Sequence, residues 1–385
     1  MPHINPTENT KLHAIENSRT LANETARLQM QNSLRQAAEQ TETTHDLMLR
    51  FFNMQLEITM AKISCDLGLF RILSERDEPF SVDMLAQRTG ATPSLIRRVL
   101  RYLASMRHVA ETSKDHFKAN QATKSLGNPV IKDCLSYIFH VGGPVYQAFP
   151  ETLKDNGFDD ALTTTAWNKG YDTPLDFLSY GKQNPTYLKW FQSLMSVPRE
   201  GDWLDVFSVN SLALLNHDDQ AIFVDVGGGI GHQSARLRAR FPDLPGRIIV
   251  QDLPEVLNHA PKMQGIELMA HNFFETQPVK GAKAYYFRTV LHDWNDEKAA
   301  QILRLTADAM DKDSVLLIDD MALPDTGAHW WSSVLDMHLL AMLGSRERTE
   351  NEWQSLISGA GLNVLSIRPY HPMMRHSVII AQLPQ

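Results

Sequence analysis

The chain has 385 residues, 43% hydrophobic and 21% charged, a composition that suits a globular protein of two domains. A formal net charge of −8 excludes a dominant nucleic-acid surface, and only two cysteines, Cys65 and Cys134, exclude a disulfide framework. No run approaches the roughly 18 apolar residues of a membrane span, and the polar stretch Met1–Ser18 has no apolar signal core, so a cytoplasmic protein with no membrane partner is expected.

Residues 1–20 are polar and expected to be loosely ordered. From about Leu21 to Leu73 the pattern is helical, with Leu47, Phe51, Met54, Ile58 and Ile63 on one face. Such a face enters a core or docks a second subunit. Ser81 is placed to cap a short helix that Gly90 ends, and Thr92-Pro93 opens another carrying Leu95, Val99, Leu100 and Leu103. Two short strands, His108–Glu111 and His116–Ala119, complete a winged-helix pattern. Arg97, Arg98 and Arg101 could touch phosphates, but no basic patch extends beyond them, so a solvated helix face is the better reading.

Cys134 to about Asp205 is helical and rich in aromatic residues, with breaks expected at Gly142-Gly143-Pro144 and Asn156-Gly157. These aromatics and Met195 could wall a pocket for a flat apolar substrate, although an ordinary inter-helix core accounts equally well for most of them. His140 lies in this run, where a lone histidine is more often a satisfied core residue than a catalyst.

From Ala221 strands and helices alternate. Strands are expected at Ile222–Val226, Arg247–Gln251, Ala284–Arg288, Val315–Asp319, Asn363–Arg368 and Ser377–Gln382. This is the α/β signature of a mainly parallel sheet covered on both faces, which binds ligands at the carboxyl ends of its strands. At the first of those ends stands Val224-Asp225-Val226-Gly227-Gly228-Gly229-Ile230-Gly231. Glycines there let the backbone turn sharply and approach a ligand. The dinucleotide spacing G-x-G-x-x-G fails, because its third glycine would fall on His232 from Gly227 or on Ser234 from Gly229. Asp225, two residues before the first glycine, suits a ligand carrying a cationic amino group, as S-adenosylmethionine does and a pyrophosphate does not. Asp252 ends the next strand, where a ribose-binding carboxylate belongs.

His292 follows the third strand in Leu291-His292-Asp293-Trp294 and could accept a proton near neutral pH. Asp293, Asp320 at the fourth strand and Glu347 in Glu347-Arg348-Thr349 are acids that could orient it, or be surface caps and salt bridges if taken singly.

These motifs, with Asp252-Leu253-Pro254, resemble the plant- and fungal-type small-molecule O-methyltransferases that use S-adenosylmethionine, over about Leu47 to the C-terminus. The resemblance implies a Rossmann-like seven-stranded methyltransferase sheet at 206–385, preceded at 21–205 by a mostly α-helical winged-helix domain that forms a homodimer rather than binding DNA. It implies that Gly227 and Gly229 hold the methionine portion of the cofactor, that Asp252 binds the ribose with Leu253 beside the adenine, and that Arg288 is cofactor-proximal. Asn272-Phe273 falls where Asp-Phe or Asp-Met usually stands, a departure that an amide carbonyl can still serve. His292 is implied as general base, with Asp320 and Glu347 as the acids completing the catalytic group, although Glu is commoner at the first. His140, Met195 and Met337 are assigned to the substrate wall. The sulfonium is an activated electrophile, so no metal is required. Attack by a substrate oxygen would be aided by alignment, worth roughly 7–11 kcal/mol, and a phenol suits an imidazole base better than an aliphatic alcohol does.

Two other functions fit parts of this pattern. Some fungal relatives keep the cofactor and catalyse pericyclic cyclisations, with the sulfonium as a fixed charge. His292 favours methyl transfer over this, since pericyclases are expected to alter the base. A winged-helix regulator is disfavoured by the net charge and by the His292 constellation.

Overall fold

A computed structural model of the protein describes residues 24–195, 197, 201–213, 219–371 and 374–384, so the polar segment at 1–20 lies outside the described residues. The chain forms two compact units: Met1–Pro150 with Trp167–Pro198, and Glu151–Ala166 with Arg199–Gln385.

The first unit begins with α1 (Glu24–Glu39) and α2 (Thr44–Asp66). Thr43 and Asp46 start α2 by a capping box, each side chain taking the other's backbone N–H. Much of the apolar surface of α2 is uncovered: Met48, Phe51, Phe52 and Met54 are exposed, Phe52 by 80%. Strand β1 (Phe80–Ser81) leads into α3 (Val82–Thr89), capped by the Ser81 hydroxyl and ended by Gly90 in the left-handed region. Helix α4 (Pro93–Ser105) is capped by Thr92 with Pro93 at its first position, as the residues predict. It buries Ile96, Val99, Leu100 and Leu103 and leaves Leu95 exposed. Strands β2 (Ala110–Ser113) and β3 (His116–Lys118) pair antiparallel, and β1 joins β3, an addition to the expected wing. Arg97 of α4 is held at 2.7 Å by Asp115 in the turn of that wing.

The aromatic segment departs from expectation at one point. Gly142-Gly143-Pro144 does not break the helix: a π-helical turn at Tyr137–Gly142 runs directly into the helix that starts at Gly143. Pro144 is then the second residue of a helix, where a missing N–H costs little. Gly157, with φ +67°, does end that stretch. Helix α5 (Pro185–Met195) carries Tyr187, Trp190 and Phe191 back toward Tyr137 and His140.

The second unit is built on an eight-stranded sheet. Its strands are β4 (Ala221–Val226), β5 (Arg247–Asp252), β6 (Ile266–Ala270), β7 (Ala284–Arg288), β8 (Val315–Leu323), β9 (Arg348–Thr349), β10 (Asn363–His371) and β11 (His376–Gln382). The path runs β10-β11-β8-β7-β4-β5-β6, with the short β9 beside β8. Strands β6 to β8 along this path are mutually parallel, while β11 and β10 return antiparallel. The six expected strands all form. Two further strands are unexpected: β6, five residues that are all half-buried or exposed, and the two-residue β9.

Alternate residues of the central strands enter two different cores. Val224, Tyr285, Phe287 and Ile318 pack with Ile302 and Trp353 on one face, and Phe223, Tyr286 and Leu317 pack with Trp203 and Leu237 on the other. All six residues of β4 are buried, and each large apolar side chain so buried contributes roughly 1.5–3 kcal/mol, which fixes this strand as the centre. The chain leaves β4 toward β5 and β6 and returns to β7 on its other side. The strand order therefore reverses at β4, and the crevice at that reversal opens where β4 ends in glycines.

Candidate active site

All of the strand-end residues belong to the second unit. After β4, Gly227, Gly229 and Gly231 adopt φ of +70°, +60° and +85°, a region other residues enter at a cost. The turn is bolted to β5 by N–H groups of Gly227 and Gly228 donating to the Gln251 carbonyl at 2.8 and 3.1 Å. A Cβ on Gly227 would fall 2.9 Å from Val290, and one on Gly228 would fall 2.6 Å from the Asp225 carboxyl carbon. A Cβ on Gly229 would meet nothing within 4 Å. The turn is thus packed behind and open in front, a backbone cradle that a side chain would fill.

Asp225 lies beneath this cradle, 1% exposed, accepting a hydrogen bond from the Ser234 hydroxyl at 2.8 Å. Burial pushes its carboxyl up to about 7, against the opposing pull of Ser234 and Arg288. Its position lets it shape the turn and act on a ligand through charge. Ser234, the first-turn residue that holds it, carries no sequence signal. Asp252 ends β5 and accepts the N–H of Gly229 at 2.8 Å and of Leu253 at 2.7 Å, leaving acceptor capacity on both oxygens. Burial raises its carboxyl, and the two amides oppose that. Leu253 is 40% exposed. The Asn272 side-chain Oδ1 accepts the Phe274 N–H at 3.1 Å, and Phe273 packs edge-on against Phe274 and Trp294. This donor and acceptor set fits a ribose-bearing, adenine-bearing cofactor with a cationic amino acid at one end. On such a fit Gly229 would offer the space, Asp252 a hydroxyl acceptor, and Leu253 and Phe273 apolar walls.

Arg288 ends β7 and donates to Asp319 at 3.0 Å. Asp319 also accepts the hydroxyls of Tyr286 at 2.5 Å and Tyr370 at 2.7 Å, so the arginine is held from below by a buried acid that is itself fully engaged.

His292 lies in a 3-10 turn, Leu291–Asp293, and is buried. Its Nδ1 is 3.0 Å from Glu347 Oε1 and 3.4 Å from Asp320 Oδ1, while Nε2 is 3.5 Å from Asp293. Nδ1 therefore donates to Glu347, which leaves Nε2, with Asp293 at 3.5 Å, as the nitrogen outside that bond. Glu347 is positioned in turn by Asp336 of α9 (Trp330–Leu343; α6 is Trp203–Val206, α7 His232–Arg240 and α8 Asp296–Ala307), which accepts the Glu347 N–H at 2.8 Å. Burial pulls the imidazole down, but Asp320, Glu347 and Asp293 outweigh it and push it up to about 10. Burial likewise pushes Asp320 up to about 7, against the pull of His292. The His292, Asp320 and Glu347 ligand atoms lie within 4.8 Å of one another, close enough to hold a cation. The 3.0 Å separation at Nδ1 is equally that of a hydrogen bond, and a shared proton satisfies it.

Of the residues assigned to a substrate wall, Met337 is in the second unit, 46% exposed on α9. His140 and Met195 are in the first. Met195 ends α5 and is 46% exposed. His140 stacks on Trp190 at 5.1 Å, meets Phe139 edge-on, and accepts the Tyr171 hydroxyl through its carbonyl. Burial, with Lys62, pulls its imidazole below the ordinary range.

Comparison with known proteins agrees with this geometry. Residues 151–363 match the O-methyltransferase domain family, and residues 49–126 match the O-methyltransferase dimerisation domain. The chain is 35% identical to demethylsterigmatocystin 6-O-methyltransferase of Aspergillus flavus, over 89% of each chain. It is also similar to a solved structure of LepI in complex with SAM, with 33% identity, a TM-score of 0.89, and 98% of this chain and 100% of that one covered. A solved structure described as a pericyclic reaction enzyme matches at 32% identity and a TM-score of 0.89, over 98% of this chain and 99% of that one. A match of this extent over both parts of the chain settles its kinship: the protein belongs to the S-adenosylmethionine-dependent O-methyltransferase family.

Proposed function

We propose that this protein methylates a hydroxyl, most suitably a phenolic one, of a small secondary metabolite, with His292 as general base. The observation that carries the reading is the hydrogen bond between His292 Nδ1 and Glu347, which leaves Nε2 as the proton acceptor. Gly227, Gly229, Asp252, Leu253, Asn272, Phe273 and Arg288 would hold the cofactor, with Asp225 beneath the turn. When bound there, S-adenosylmethionine supplies a methyl group already activated on a sulfonium. His292 removes the hydroxyl proton, Glu347 fixes the ring and its tautomer, and Asp320 offsets the charge the imidazole gains. Met337, in the same unit as His292, is a proposed substrate contact. The uncovered apolar residues of α2 support a homodimer through the dimerisation domain.

A second reading is favoured by the likeness to a pericyclic reaction enzyme. Here the chain would bind the cofactor and isomerise its substrate. Incubation of a candidate phenol with labelled cofactor separates the two. Methyl transfer adds the label to the product and releases S-adenosylhomocysteine; an isomer of unchanged mass with the cofactor intact would reject it.

A further inference from the structure

The chemistry proposed for His292 leaves one large buried group unused. Arg348 is 1% exposed and lies on β9, next to Glu347. Its Nη1 donates to the Leu291 carbonyl at 3.0 Å and its Nη2 to the Trp294 carbonyl at 2.7 Å. Its Nε donates to Asp296 at 2.8 Å, and the guanidinium lies 5.1 Å over the ring of Trp353. Trp353 is fixed in turn by its indole N–H, which donates to the Met321 carbonyl at 2.7 Å.

Leu291 and Trp294 bracket His292-Asp293. The turn between them is poorly bonded within itself: Asp293 N–H reaches Val290 at 3.2 Å and Trp294 N–H reaches Leu291 at 3.3 Å. It also follows Thr289, a non-glycine residue at φ +48°. Left alone, such a turn would have little to fix its direction. Two adjacent residues therefore hold it, Glu347 by the imidazole and Arg348 by the backbone. Burying a guanidinium costs several kcal/mol unless its donors are satisfied, and an apolar side chain would pack as well. What arginine alone supplies is a planar fork that binds two carbonyls in fixed directions, which the point charge of lysine does not.

We propose that Arg348 is a positioning residue for the proton transfer: it holds the Leu291 and Trp294 carbonyls so that His292 keeps its alignment with Glu347. The proposal rests on the reading of His292 as base. Arg348→Lys should lower kcat roughly 10- to 100-fold, as expected for a small misplacement of a reacting group, with the substrate KM and cofactor Kd unchanged. The proton resonance of the His292 Nδ1–H bonded to Glu347 should broaden or vanish in the same variant. A wild-type kcat and resonance would overturn the proposal, and so would a parallel loss of kcat, cofactor binding and thermal stability, the mark of a residue that only supports the fold. Asp296→Ala, at an exposed side chain, releases one of the three holds without opening the core. It should broaden the same resonance and lower kcat by a smaller factor, and no change in either would overturn the proposal. If the wild type transfers no methyl group, the reading of His292 as base fails, and the resonance still tests the clamp.

Discussion

Glu347 reaches His292 Nδ1 at 3.0 Å, while Asp320, at 3.4 Å, has no hydrogen-bond partner on either carboxylate oxygen among the described residues. Both acids are buried, yet they act on the same imidazole in different ways. Glu347 sets the tautomer and direction of the ring, and Asp320 contributes charge. An unpartnered buried carboxylate is costly, and here the neighbouring imidazolium offsets that cost.

Replacing the proposed base tests its role directly. His292→Ala should lower kcat roughly 10²–10⁴-fold, with cofactor Kd unchanged when measured by calorimetry, because His292 lies outside the glycine cradle. Release of S-adenosylhomocysteine at the wild-type rate would remove His292 from the mechanism.

The carboxylates around His292 govern its pH dependence. Only the neutral imidazole accepts a proton, and with the group pushed up to about 10 the rate should rise with pH through the alkaline range. Glu347→Gln removes one of the charges that hold the proton on the ring. Asp320 and Asp293 still hold the imidazole up against burial, but less strongly, so the rising limb should move to lower pH. Its maximum should fall roughly 10-fold, for a weaker and less well-aligned base. A kcat profile from about pH 6 to about pH 10 spans the group's ordinary and shifted values and checks this.

Asp225 makes a prediction about stability. Its carboxyl rises from an ordinary 3.8 to about 7 in the fold, so the unfolded chain ionises first as pH rises. The contribution of this group to stability is therefore fully present below about pH 4 and declines until about pH 7. Asp225→Asn should flatten that decline in denaturant titrations of the cofactor-free protein, by no more than about 4 kcal/mol. An unchanged pH dependence would mean that the buried carboxyl titrates normally.

The donor set of His292, Asp320 and Glu347 also invites metal removal. Dialysis against EDTA should leave methyl transfer unchanged, since in the proposed reaction Nδ1 carries the proton bonded to Glu347 and Nε2 accepts the substrate proton. Loss of activity that a divalent cation restores would show that the three side chains hold an ion.

Strands β4, β5, β7, β8 and β11 were legible in the residues, because a strand buried on both faces is a local apolar run and needs no knowledge of its neighbours; edge strand β10 was legible too, although most of its residues are half-buried or exposed. Edge strand β6 was not, since it is only five residues long, carries Glu267, and is half-buried or exposed throughout. Gly142-Gly143-Pro144 misled for a related reason: local rules see breakers, whereas the π-helical turn before them already sets the direction of the chain.

The sequence by itself determined the glycine turn, its failed dinucleotide spacing, the acid at the end of the next strand and the histidine after the third. Each is a short-range pattern, and covalent geometry fixes its meaning. The tertiary structure decided which acid holds that histidine, since Glu347 lies 55 positions away in the chain. It decided that Asp225 is buried under the turn against Ser234, that Asp319 supports Arg288, and that Arg348 grips the turn bearing His292. The pairing of Asp319 with Arg288 and those of Glu347 and Arg348 with the His292 turn follow from strand order and from the registers of β7 and β9 on β8, which no local pattern encodes.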